Sequence, residues 1–333
     1  MRVRTIYAAG ISLAASGMAS PVLAVPDVVA SIKPVHSLVA AVMEGVAEPT
    51  LLVKGAVSPH TYSLKPSDAE ALQGAEIVFW TGHGMEIFLQ DVLGTLAGQA
   101  TSVELSDAAG LELLPIREGG TFKPHDHGHQ EGEEHEHEHE EEAHGEHAHA
   151  EPHDHEHEGE RDMHFWLDPA NAEKVVTAIA EALAKADPEN AERYQSNAAT
   201  EIAELKALRA ELDATLAPVK NKPFVVFHDA YQYFEQRFGL TVAGSITVSP
   251  EVAPGAARLT ELQSKIKTLG ATCIFAEPQF TPAVINTVSE GTEARTGTLD
   301  PEGGSIPEGV ELYPTLLRNL AGSMVDCLSA TAP

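Results

Sequence analysis

Twelve of the chain's seventeen histidines fall between His125 and His157, interleaved with carboxylates in runs such as HEHEHEEEAHGEHAHAEPHDHEHE. Imidazoles and carboxylates are ligands that borderline divalent ions such as zinc accept, and here they recur at one- and two-residue spacing with almost nothing apolar between them. The stretch has too little apolar surface to offset the entropy of ordering it, so it points to metal contact within a disordered loop and not to a core. The candidate accessory ligands are His125, His127, His129, His135, His137, His139, His144, His147, His149, His153, His155 and His157. A plain acidic linker would account for the carboxylates and leave the histidines unexplained. An expression tag would be a pure histidine run at a chain end.

Five histidines remain: His36, His60, His83, His164 and His228. His60 follows AVSP in an expected loop, His164 opens HFWLDP just beyond the tract, and His228 closes the run FVVF ahead of a helix. Ligands of open α/β sheets lie beyond the carboxyl ends of strands, which is where His228 falls by pattern. Taken singly, a histidine at a strand end is more often a partly buried polar residue. His36 follows Pro34 at a helix start and reads as structural or as an edge donor, and His83 in WTGHGMEIF follows an expected strand and reads as an exposed polar residue, with a place near the cleft mouth as the alternative.

The elements that must position these residues alternate between short apolar runs and amphipathic stretches, the pattern of an α/β protein. DVVASI, EIVFW and TSVEL read as strands before the tract, with helices over PVHSLVAAVMEG, KPSDAEALQGA and MEIFLQDVLGTLAG. Beyond it, DPANAEKVVTAIAEALAKA predicts a helix, and Asp187 and Pro188 predict the start of a second. That second helix runs to about Ala217, with Tyr194, Ala198, Ile202, Leu205, Leu208, Leu212 and Leu216 on one stripe. FVVF, LTVAGSI, TCIFA and ARTGTL then alternate with four more helices. The expected organisation is a leader over 1–24, an N-terminal α/β lobe over 25–187 that includes the disordered loop 117–162, a long linking helix over 188–218, and a C-terminal α/β lobe over 219–333.

Composition bounds the function. The 333 residues carry a formal charge of −29. Thirteen Glu and two Asp with no Lys or Arg between His125 and Glu160 contribute −15 of it. Such a chain repels nucleic acid and anionic lipid and attracts divalent cations. The N-terminus has Arg2 and Arg4, a short run rich in small and apolar residues, and Val22 and Ala24 at the −3 and −1 positions of a cleavage site, which reads as a secretory signal peptide. A membrane anchor is the alternative, disfavoured because the run is short and no other apolar stretch of about 18 residues follows. In an exported chain with only Cys273 and Cys327, pairing is favoured over two buried free thiols. Closing that loop would stabilise the fold by roughly 4 kcal/mol in the chain-entropy model.

The segments SPHTYSLKPSDAEAL, HFWLDPANA, VVFHDAYQYFEQRFGL and FAEPQF, in that order, resemble the periplasmic zinc-receptor proteins of ATP-binding-cassette uptake transporters, the ZnuA type. The resemblance spans nearly the whole chain after the leader. It implies two α/β lobes joined by a long rigid helix, with metal held in the cleft between them by His60, His164 and His228. It further implies that the histidine-acid tract is a mobile charged loop and that the two cysteines form the disulfide of the zinc-specific members. The chemistry of the residues agrees, since three neutral imidazoles at about 2.0–2.1 Å with a fourth position open suit tetrahedral zinc. Manganese would favour more oxygen. Some zinc-specific relatives place a glutamate before the first histidine, where this chain has Pro59. Asp300 in TLDPEGG matches the aspartate of manganese-type relatives; it either completes the shell, directly or through water, or is a turn residue before Pro301. Glu277 in AEPQF is a candidate acceptor for a ligand's second N–H, and Tyr62, Trp166 and Tyr231 are candidates for the cleft wall or the core.

The leading expectation is a monomeric periplasmic receptor that captures Zn2+ with high affinity and delivers it to an inner-membrane permease, with the tract as a low-affinity collector or sensor. A manganese or iron receptor of the same family and a stand-alone zinc chaperone or buffer are the alternatives. A zinc hydrolase is disfavoured, because no HExxH helix or comparable general-base motif is present.

Overall fold

The computed structural model describes residues 25–117, 161–247, 255–280 and 283–329. The predicted leader and the whole histidine-acid tract lie outside them. Two four-stranded parallel sheets carry the fold. The first contains β1 (Val28–Ala30), β2 (Thr50–Leu51), β3 (Ile77–Trp80) and β4 (Thr101–Glu104), ordered β2-β1-β3-β4. The second contains β5 (Phe224–His228), β6 (Val242–Thr247), β7 (Cys273–Ala276) and β8 (Arg295–Thr298), ordered β6-β5-β7-β8. β3 and β5 are buried at every position, as their unbroken runs IVFW and FVVFH require of central parallel strands covered on both faces.

Helices cover the sheets: α1 (Lys33–Val42), α2 (Pro66–Gly74), α3 (Ile87–Gln90), α4 (Leu93–Leu96) and α5 (Pro169–Ala186) in the first half. α6 (Ala191–Leu216) is the long linking helix, followed by α7 (Gln232–Phe238), α8 (Ala256–Leu269), α9 (Ala283–Ser289) and α10 (Leu312–Ser329). At about 1.5 Å per residue α6 is a rod of roughly 39 Å. It buries Tyr194, Ala198, Leu205, Leu208, Leu212 and Leu216, with Ile202 partly buried, and packs against α5, α10 and α1. Its stripe is thus shared between helices of both lobes, so the rod forms part of a continuous core.

Two expectations differ from the structure. The stretch MEIFLQDVLGTLAG forms the two short helices α3 and α4 and not one helix. Its C-terminal turn is so tight that a side chain on Gly98 would sit 2.9 Å from the Gly94 carbonyl. The linking helix begins with a 3-10 turn over Pro188–Asn190, where the Asp187 carboxylate accepts from Asn190 and from the Tyr194 hydroxyl. Cys273 at the start of β7 and Cys327 near the end of α10 form a disulfide, with Cα atoms 6.1 Å apart.

A seam of hydrogen bonds fastens the loop after β8 to the first lobe. The Lys33 ammonium donates to the carbonyls of Gly304 (3.0 Å) and Ile306 (2.6 Å), and the Ser37 hydroxyl to Gly309 (2.8 Å). The Trp166 indole N–H donates to the Pro301 carbonyl (3.0 Å), and the Tyr313 hydroxyl to the Trp166 carbonyl (2.6 Å). Gly304 packs so closely that a Cβ there would lie 2.6 Å from the Ala56 Cα. No helix among the described residues is long and apolar enough to cross a membrane.

Candidate metal centre

His60 is carried by a 3-10 turn over Pro59–Thr61, His164 by the segment leading into α5, and His228 by the last position of β5. α5 is anchored by Pro169 in its first turn and by the Asp168 carboxylate, which accepts from the Ala170 amide at 2.8 Å. These three histidines converge from the two lobes: one ring nitrogen of each lies within 4.8 Å of the others. The Nε2 atoms of His60 and His164 are 3.3 Å apart, as are those of His228 and His164. Four donors around a tetrahedral ion at about 2.0–2.1 Å stand about 3.3–3.4 Å from one another. The observed spacing is therefore the edge of a zinc-sized tetrahedron.

For His164 and His228 the far nitrogens explain why the near ones face inward. His164 Nδ1 lies 2.8 Å from Asp162 Oδ1, which also accepts from the His164 amide at 3.0 Å. His228 Nδ1 lies 2.7 Å from Glu277 Oε1. A carboxylate fixed at Nδ1 holds the proton there and leaves the Nε2 lone pair for a metal. Burial, and then the charges of the neighbouring imidazoles, hold His60 well below the ordinary histidine value; burial and then His228 do the same for His164. Burial opposes charge on His228 too, but Glu277, together with Asp229 and Asp162, overrides it and raises the pKa. Burial pushes the Asp162 carboxyl up to about 7 against the pull of the His164 amide and Arg117.

The cavity bounded by the three rings has a volume of about 10 Å³, and its wall includes Ser58, Gln279, Phe280, Pro301 and Glu302. It has room for a single ion or water. Asp300 is not among the converging donors. Its carboxylate is engaged by its own loop and by the loop after β7: Oδ1 accepts from the Gln279 side chain (2.7 Å) and the amides of Glu302 and Gly303 (3.1 and 3.0 Å), and Oδ2 from the Gly304 amide (2.7 Å). Trp166 and Tyr231 are fully buried with rings 5.3 Å from His164 and 6.5 Å from His228, whereas Tyr62 packs on Phe88 and donates to Asp68. His36 sits 3.0 Å from the Pro49 carbonyl, and His83 is an exposed partner of Glu104. Two carboxylates of this site went unread in the sequence. Asp162 stands two residues before His164 at the edge of the acidic tract, where it resembles its many neighbours; Glu302 follows Asp300 and is buried in the cavity wall. All twelve tract histidines lie outside the described residues.

Two parallel-sheet lobes joined by a long helix, with three imidazoles meeting between them, define a cleft-type metal-binding protein. The profile of the zinc-uptake complex component A periplasmic family, ZnuA, matches residues 28–327. The chain belongs to that family. It is 59% identical over 305 residues to the high-affinity zinc uptake system protein ZnuA of Brucella suis, covering 91% of each chain. The protein of the same description from Yersinia pestis is 39% identical over 314 residues, covering 92% of each. Among solved structures, a crystal structure of ZnuA aligns with a TM-score of 0.69 at 24% identity, over 90% of this chain and 99% of that one. A ZnuA deletion variant with zinc bound aligns with a TM-score of 0.70 at 24% identity, over 92% and 99%. These two establish the likeness of fold.

Proposed function

We propose that this chain is a periplasmic receptor that captures Zn2+ between its lobes and delivers it to the permease of an ATP-binding-cassette uptake system. The observation that carries the reading is that His164 Nε2 stands at tetrahedral-edge spacing, 3.3 Å, from the Nε2 atoms of both His60 and His228, in a chain of the zinc-uptake family. His60, His164 and His228 are the ligands, Asp162 and Glu277 orient two of them, and water takes the fourth position. Asp300 would have to release the amides of its own loop to serve as that ligand. An all-nitrogen protein donor set favours zinc over manganese. A cavity with room for one ion supports cargo binding and not turnover of a larger substrate. The leader over 1–24 directs export, and the tract from His125 to His157 gathers zinc weakly beside the cleft.

Competition against a chromophoric chelator tests this: the wild type should hold one zinc tightly plus several weakly. His164→Ala should abolish the tight site, and deleting 125–157 should abolish the weak ones alone. Loss of the tight site on that deletion would overturn the division of labour. Tighter binding of manganese than of zinc would select the alternative cargo.

A further inference from the structure

The segments on either side of 118–160 meet at a small base. Pro115 and Arg161 form an isolated antiparallel bridge, and the Asp162 amide donates to the Leu114 carbonyl at 2.8 Å. From this base two connections run to the metal centre. Asp162 holds His164 through its amide and Nδ1, as described. Arg117 crosses to the other lobe, where its guanidinium grips Asp229, the residue after His228, through Nε (2.9 Å) and one terminal nitrogen, and Glu235 of α7 through the other (2.6 Å). Tyr233 of α7 closes the figure: its hydroxyl accepts from the Leu114 amide (2.8 Å) and donates to the Asp162 carbonyl (2.6 Å).

The consequence is geometric. His164 and His228 belong to different lobes, and the two sheets alone do not fix the 3.3 Å between their Nε2 atoms. Beside the seam of the loop after β8, the base links the two ligands directly: it holds the carboxylate behind His164, Arg117 grips Asp229, the residue after His228, and Tyr233 of α7 holds Leu114 and Asp162. An ammonium in place of Arg117 could not reproduce a fork that engages two carboxylates at once. We infer that Arg117 is a positioning residue of the metal centre, which with Tyr233 sets the distance between His164 and His228 across the lobes. This rests on the three-histidine reading given above.

The test uses the full chain with Arg117→Lys, Tyr233→Phe and the double variant, and His164→Ala as reference. Displacing groups that orient metal ligands costs about 10- to 100-fold in affinity, so Arg117→Lys should weaken the tight zinc site by about 10-fold. Tyr233→Phe should weaken it less, and the pair should be non-additive because both act on one spacing. Cobalt in the tight site should show an altered visible spectrum in Arg117→Lys, which a merely stabilising ion pair would leave unchanged. Wild-type affinity and an unchanged cobalt spectrum in both single variants, even with a lowered melting temperature, would overturn the inference. If His164→Ala keeps the tight site, the three-histidine reading has failed, and the inference falls with it.

Discussion

At the proposed ligands His60, His164 and His228 the proton is the natural rival of zinc, and the three do not hold protons alike. Burial and then neighbouring imidazoles push His60 and His164 down, while Glu277 makes His228 more basic against its burial. Of the three, His228 is therefore the ring whose proton competes with zinc up to the highest pH. Affinity should fall by about tenfold per pH unit as pH drops below the raised His228 value, and steepen only further into acid, where the other two rings charge. Glu277→Gln removes the charge that sustains this proton. Zinc affinity near neutrality should weaken by about 10- to 100-fold, and the onset of proton competition should move to lower pH. An affinity profile against pH for both proteins checks the two effects together; a weakened site with an unmoved onset would remove Glu277 from the role. At this scale the sequence was informative about ligands and poor about their supports. His228 ends one recognisable strand and Glu277 follows another, but the pairing of Asp162 with His164 depends on how the chain turns after a stretch whose own composition hides one more acid.

Among the elements, α6 and the loop after β8 carry the sharpest expectations. Glu201 on α6 is pushed up to about 7 by burial and by Glu204, Glu311 and Glu44. An acid whose folded value is raised favours folding below its unfolded value and loses that contribution as pH rises through the folded one. Glu201→Gln should accordingly leave stability unchanged below about pH 4 and raise it by about 1–2 kcal/mol above pH 7, after allowance for solvent screening. Urea unfolding at the two pH values measures this. In the loop, Asp300→Ala removes the acceptor of three amides and the Gln279 side chain. The expected result is a loss of about 1–3 kcal/mol of stability with a smaller effect on zinc. An affinity loss as large as that of His164→Ala would make Asp300 a ligand. Most elements were legible because parallel strands and amphipathic helices have different periods. β2 was not, since two residues are too few to show a period, and α3 and α4 were merged because their apolar spacing runs on while the backbone turns.

For the whole molecule, the disulfide joins β7 to α10 across 54 residues of sequence and so ties the sheet of the second lobe to its last helix. Replacing both cysteines by alanine should lower stability by roughly 4 kcal/mol in the loop-entropy model, read by denaturant unfolding, with zinc stoichiometry unchanged. The pairing was legible from compartment and cysteine number alone, whereas the way the lobes are fastened was not, because carbonyls supply most of the acceptors and carry no sequence signature. That fastening has a consequence for transport kinetics. The bonds from Lys33, Ser37 and Trp166 to the loop after β8 do not pass through the three imidazoles. For a receptor of the kind proposed, the outline offered to a permease is then nearly the same whether or not cargo is aboard. Empty receptors should queue for the same berth as loaded ones. Uptake in a reconstituted system should decline as unloaded protein is added at fixed loaded protein, so that the cell's flux depends on the fraction filled as well as on the amount of zinc carried.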